Sequence, residues 1–122
     1  MATSIQNSIQ RPKILLVDDM DDFRMTMKWF LTSHDYAVDS ASSAEEAISL
    51  FRPEVHQLVM TDNSMPGMTG AELAQILKRL SPSTPILMHT GSPPTDQTFL
   101  DVVIQKPARL FVLKAAIDKL LS

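Results

Sequence analysis

Short apolar runs alternating with longer amphipathic stretches constrain this chain more than any other feature. ILLV (14–17) carries no polar residue, PILMH (85–89) is apolar up to its last residue, and HQLVMT (56–61) is apolar through Leu58, Val59 and Met60. Each is too short for an ordinary helix. A continuous apolar run of this kind is a strand covered on both faces, as in the middle of a parallel sheet. YAVDSA (36–41) and DVVIQ (101–105) read as two further strands. Between them the apolar period changes to that of a helix. Phe23, Met27, Phe30 and Leu31 predict an inward stripe on a helix from about Asp21 to Ser33, which leaves Met25 and Trp29 on the opposite side. SSAEEAISLF (42–51) predicts a helix with a serine cap. Leu73, Ile76, Leu77 and Leu80 predict a third helix that stops before Pro82. Leu110, Leu113, Ile117, Leu120 and Leu121 predict a closing helix beyond Pro107. Alternating strands and helices place the chain in the α/β class, with helices wound about a parallel sheet.

One connection breaks the rhythm. From Thr90 to Leu100 there are 11 residues, including two adjacent prolines. That is the floor of roughly 10 to 12 residues for a crossover between parallel strands, so a full helix hardly fits. The fourth helix of the series is expected to be shortened or missing.

A length of 122 residues with 44% hydrophobic content suits one domain with a real core. Residues 1–12 read as a flexible lead-in and 13–122 as the folded unit. The net charge of -3, with acids and bases interspersed, gives no basic footprint for nucleic acid or anionic lipid. The absence of cysteine excludes disulfides and thiolate metal sites and suits a reducing compartment, so the cytoplasm is the expected location. No apolar run approaches a membrane span of about 18 residues, and the first ten residues lack the order of a signal peptide.

Ligands of open parallel sheets bind beyond the carboxyl ends of the strands. In this chain the first strand ends in Asp18 and Asp19, the third in Asp62, the fourth leads to Thr90, and the fifth runs into Lys106. Each has an ordinary explanation alone: a helix cap, a turn residue, a solvated lysine. Together they place three carboxylates at one edge, where they repel one another unless a cation or protons intervene. An oxygen-only ligand set with room for water favours Mg²⁺. Lys106 as a point charge and Thr90 as a hydroxyl donor suit phosphoryl oxygens, and a carboxylate can attack phosphorus to form an aspartyl phosphate. Asp62 is the best acceptor, because the turn after it, rich in methionine, proline and glycine, reads as mobile and leaves its outer side open. Asp19, with Asp18 acting through a water, would hold the metal.

These residues carry a resemblance. The acidic pair in LLVDDM, the turn DNSMPGMTG that begins at Asp62, the HTG that contains Thr90 and the Lys106–Pro107 dipeptide together resemble the response-regulator receiver domain of two-component signalling, over Lys13 to the C-terminus. The resemblance implies a flavodoxin-like, doubly wound (βα)5 sandwich with sheet order 2-1-3-4-5. It implies Mg²⁺ bound by Asp19, Asp62 and the backbone carbonyl of Ser64, a histidine kinase or phosphotransfer protein as donor, and a cis bond before Pro107. It also implies an aromatic residue three positions before the lysine, which turns inward on phosphorylation. That position holds Val103. With the short fourth connection, this points to an intact phosphorylation site and a rebuilt output face.

The resulting expectation is a protein-interaction switch for an unidentified downstream protein, rather than an enzyme with turnover. Met25 and Trp29 are candidates for kinase docking or self-association. Ser64 and Ser92 flank the site and are placed to tune water access. A receiver-shaped module that signals without phosphate is the alternative. A Mg²⁺-dependent phosphohydrolase ranks third, because His34, His56 and His89 fall on structural segments and no second general base is apparent.

Overall fold

The computed structural model describes residues 11–122, so most of the expected lead-in lies outside the described residues. Five strands, β1 (Lys13–Val17), β2 (Ala37–Ala41), β3 (His56–Thr61), β4 (Ile86–Thr90) and β5 (Val102–Gln105), form one parallel sheet in the order β2-β1-β3-β4-β5. Four helices pack on it: α1 (Asp21–Ser33), α2 (Ala44–Leu50), α3 (Gly70–Leu80) and α4 (Leu110–Leu121). This is the doubly wound fold expected, and strand ends fall within one residue of the sequence reading.

Side-chain alternation in the strands divides the core into two. Ile14 and Leu16 face α1 and α4, joining Met27, Phe30, Leu31, Leu58, Leu113 and Ile117. Leu15 and Val17 face α2 and α3, joining Ala44, Ala47, Val59, Leu73, Leu77 and Ile86. β1 is therefore buried on both sides, as its unbroken apolar run requires. Met25 and Trp29 are each 67% exposed on the outer face of α1.

Residues 91–101 contain no helix. The connection crosses the α2/α3 side of the sheet as a strap of bends and turns, and Phe99 and Leu100 pack against that core cluster where a helix would have lain. Asp101 closes the strap. Its carboxylate accepts the Ile86 N–H at 2.7 Å and the Lys78 ammonium at 2.8 Å, and its own N–H reaches the Ile86 carbonyl at 2.9 Å. The helix expected from Ser42 begins instead at Ala44, capped by the Ser43 hydroxyl, which accepts the Glu46 N–H at 3.0 Å.

Candidate functional site

The carboxyl ends of β1 and β3 lie side by side in the sheet, and this adjacency brings their acids together. Asp18 N–H donates to Ala41 O at 3.1 Å and Asp62 N–H to Val17 O at 3.0 Å, so both backbones are extensions of the ladder. The Asp18, Asp19 and Asp62 carboxylates each offer one oxygen within 4.8 Å of the others. Lys106, at the end of β5, spans the group. Its ammonium donates to Asp18 Oδ2 at 3.2 Å and to Asp62 Oδ2 at 3.1 Å. The Lys106–Pro107 peptide is cis, as the resemblance implies.

The electrostatics follow from this crowding. Burial pushes the Asp18 carboxyl above its ordinary value and the Asp62 charge adds to it, against the Met20 amide and the Lys106 ammonium. Burial works against the Lys106 charge as well, but its hydrogen bonds to Asp62 and Asp18 and their charges outweigh it and hold the ammonium above its ordinary value. Lys106 is therefore protonated at neutral pH. Three carboxyl groups thus crowd around one ammonium in a mostly buried site. The chemistry and spacing of this donor set fit a small divalent cation with oxygen ligands. Asp19 is free of the lysine's hydrogen bonds, which leaves its oxygens to such an ion.

The turn after Asp62 is pinned, contrary to the mobile turn expected from its composition. Asn63 is its hub: its N–H donates to Asp62 Oδ1 at 2.6 Å, its side-chain oxygen accepts Ala71 N–H at 3.0 Å, and its side-chain amide donates to Ser92 O at 2.9 Å. Met65 is buried and the Glu45 carboxylate accepts the Met68 N–H at 3.1 Å. Methionine and glycine in a turn suggest looseness, yet here Met65 fills the core and Gly70 permits close approach. A Cβ on Gly70 would stand 1.9 Å from Asp62 O, so only glycine lets α3 start against the acceptor strand.

Thr90 is fully buried at the end of β4, and its hydroxyl oxygen accepts the Ser92 N–H at 3.1 Å. Its hydroxyl hydrogen remains available to an oxygen above the site. Ser92 thus touches both Thr90 and Asn63 and joins the strap to the acceptor turn. Val103 lies half-buried on β5 beside Met88. His56 donates from Nε2 to Asp39 at the far end of the sheet, and His34 caps its own helix through Phe30 O. Neither belongs to the acidic edge. His89 lies near that edge with no hydrogen bond to any acid. Asn63 escaped the sequence reading, although an asparagine directly after a strand-end acid is an Asx-turn signal.

The model of the response regulator receiver domain family matches residues 14–122. The autoinducer 1 sensor kinase/phosphatase LuxN of Vibrio campbellii is 28% identical over 129 residues, covering all of this chain and 15% of that protein. The regulatory protein VanRB of Enterococcus faecalis is 33% identical over 115 residues, covering 89% of this chain and 52% of that protein. The chain thus spans about half or less of these relatives. Among solved structures, the response regulator TrrA of Thermotoga maritima in complex with Mg²⁺–BeF superimposes with a TM-score of 0.83 at 28% identity, over 89% of this chain and 98% of that one.

Proposed function

The chain belongs to the response-regulator receiver family, and from that membership we propose that residues 13–122 take a phosphoryl group from a histidine kinase or phosphotransfer protein onto Asp62. The observation that carries this reading is the Asp18, Asp19 and Asp62 cluster bridged by the Lys106 ammonium at the carboxyl edge of the sheet. An Asp62 carboxylate oxygen forms the new bond to phosphorus as the bond to the donor imidazole nitrogen breaks and the imidazole leaves with its electron pair. Lys106 then pairs with a phosphoryl oxygen, and the free hydroxyl hydrogen of Thr90 goes to another. Asp19, Asp62 and the Ser64 carbonyl would hold Mg²⁺, with Asp18 acting through a water. The ion supplies charge neutralisation between the acids and the incoming phosphoryl group.

Incubation with Mg²⁺ and beryllofluoride or a small phosphodonor tests this. An adduct confined to Asp62 and lost in Asp62→Asn supports the reading; a wild-type protein that takes up neither reagent ends it. Half-buried Val103 and the helix-free strap favour a second reading, a receiver-shaped interaction module indifferent to phosphate. In that case Asp62→Asn would leave partner binding unchanged.

The partner surface for the donor is the outer face of α1, where exposed Met25 and Trp29 line a groove with Arg24 and Lys28. Trp29→Ala should slow transfer from the kinase severalfold or weaken self-association, read by phosphotransfer assay and sedimentation. The downstream target we propose is a protein, since this chain by itself, with a net charge of -3, offers no basic footprint for nucleic acid. No described helix is long and apolar enough to cross a membrane, and the cytoplasm is the compartment we assign.

A further inference from the structure

Receipt of a phosphoryl group must move something, and Val103 offers no ring to move. On the opposite face of the sheet there is such a ring. The Lys106 ammonium lies 5.3 Å from the centroid of Phe23, within cation–π range, and the Phe23 ring tilts at 42° against His89 with centroids 5.1 Å apart. His89 is 3% exposed, and neither ring nitrogen has a hydrogen-bond partner. An imidazole buried without partners costs free energy and is a group that a rearrangement can relieve. Space for movement exists: a pocket of about 250 Å³ lies beside the stack, lined by Met20, Phe23, His89, Lys106, Pro107 and Ala108.

We propose that the stack of Lys106, Phe23 and His89 is the phosphorylation readout of this protein, carrying the signal to the α1/α4 face in place of the missing aromatic residue on β5. The inference rests on Asp62 being the phosphoacceptor. In the resting site Lys106 is held by Asp18 and Asp62, over the Phe23 ring. A phosphoryl group on Asp62 adds negative charge and draws the ammonium outward. Phe23 then loses its cation and shifts into the pocket, and the His89 nitrogens open to water. The surface that changes is the rim formed by Met20, Pro107 and Ala108.

The test is diethylpyrocarbonate labelling of the whole 122-residue chain, located by mass spectrometry, with and without Mg²⁺ and beryllofluoride. A ¹⁹F signal separately reports adduct formation. His89 should label severalfold faster in the adduct. His56, with both nitrogens engaged, and His34, whose Nδ1 alone is engaged, should not change. At saturating beryllofluoride, Phe23→Leu should remove the contrast at His89 and Phe23→Tyr should restore it. A wild-type adduct with His89 still at its resting rate, or a Phe23→Leu protein that keeps the contrast, overturns the inference while leaving the phosphoacceptor role intact. Absence of any adduct overturns both.

Discussion

His89 sits in an environment far from its ordinary chemistry, buried with neither ring nitrogen hydrogen-bonded. Burial lowers its pKa to about 4, helped by the nearby Lys106 charge and opposed by Asp62. The folded state therefore prefers neutral imidazole, while the unfolded chain takes up a proton near pH 6.5. Stability from this residue is complete above pH 6.5 and is lost as the pH falls toward 4, by up to about 3 kcal/mol. Asp18 has a raised value and tilts the curve in the opposite sense, so the comparison of wild type with His89→Leu isolates the histidine. In metal-free urea titrations, His89→Leu should match wild type within about 1 kcal/mol at pH 7 and exceed it by a widening margin at pH 5. Equal pH slopes would remove the argument. Asp18, Asp19, Asp62, Thr90 and Lys106 were legible in the sequence because strand ends in a parallel sheet share one edge. The environment of His89 was not, because its neighbours Phe23 and Lys106 come from α1 and the end of β5.

The elements were legible where residue chemistry is punctual: an apolar run ends at an acid, a helix stops before Pro82. The start of α2 was ambiguous because two adjacent serines both suit a cap, and Glu46 engages each of them. The strap between β4 and β5 was legible as a missing helix from its length, but its replacement packing was not. Phe99 and Leu100 cover the sheet, and the adjacent Asp101 fixes the chain against Ile86. Asp101→Ala should therefore cost about 1–3 kcal/mol, since it leaves the Ile86 amide unpaired and removes one of the two partners of Lys78. Asp101→Asn should cost less, because its amide oxygen still accepts the Ile86 N–H. Urea unfolding ranks the three proteins, and an alanine variant as stable as wild type would show that the apolar contacts alone hold the strap. The seat of α3 makes a similar demand. Gly70→Ala drives a methyl into Asp62 O, so a loss of about 1–3 kcal/mol should accompany slower beryllofluoride uptake, measured on the same preparation.

Sheet order governs the behaviour of the whole molecule. With β3 central and β1 beside it, two acid-bearing strand ends become neighbours, and β5 returns a lysine to them from the sheet edge. The sequence alone does not dictate that order; the resemblance supplied it, since apolar runs say which strands are buried but not which are adjacent. The consequence is a fold that carries electrostatic strain at one end in a chain already net negative. Any cation that binds the folded acids but not the unfolded chain stabilises the whole domain through mass action. At a Mg²⁺ concentration tenfold above its Kd this amounts to about 1.4 kcal/mol, or about 5 °C in Tm for a domain of this size. Thermal melts with Mg²⁺ against NaCl at matched ionic strength separate site binding from screening. Asp19→Asn should raise the metal-free Tm by relieving repulsion and abolish the Mg²⁺ increment, and chelation should return wild type to its starting value. Equal shifts from the two salts, or an increment that survives Asp19→Asn, would show that the acids repel one another without forming a metal site.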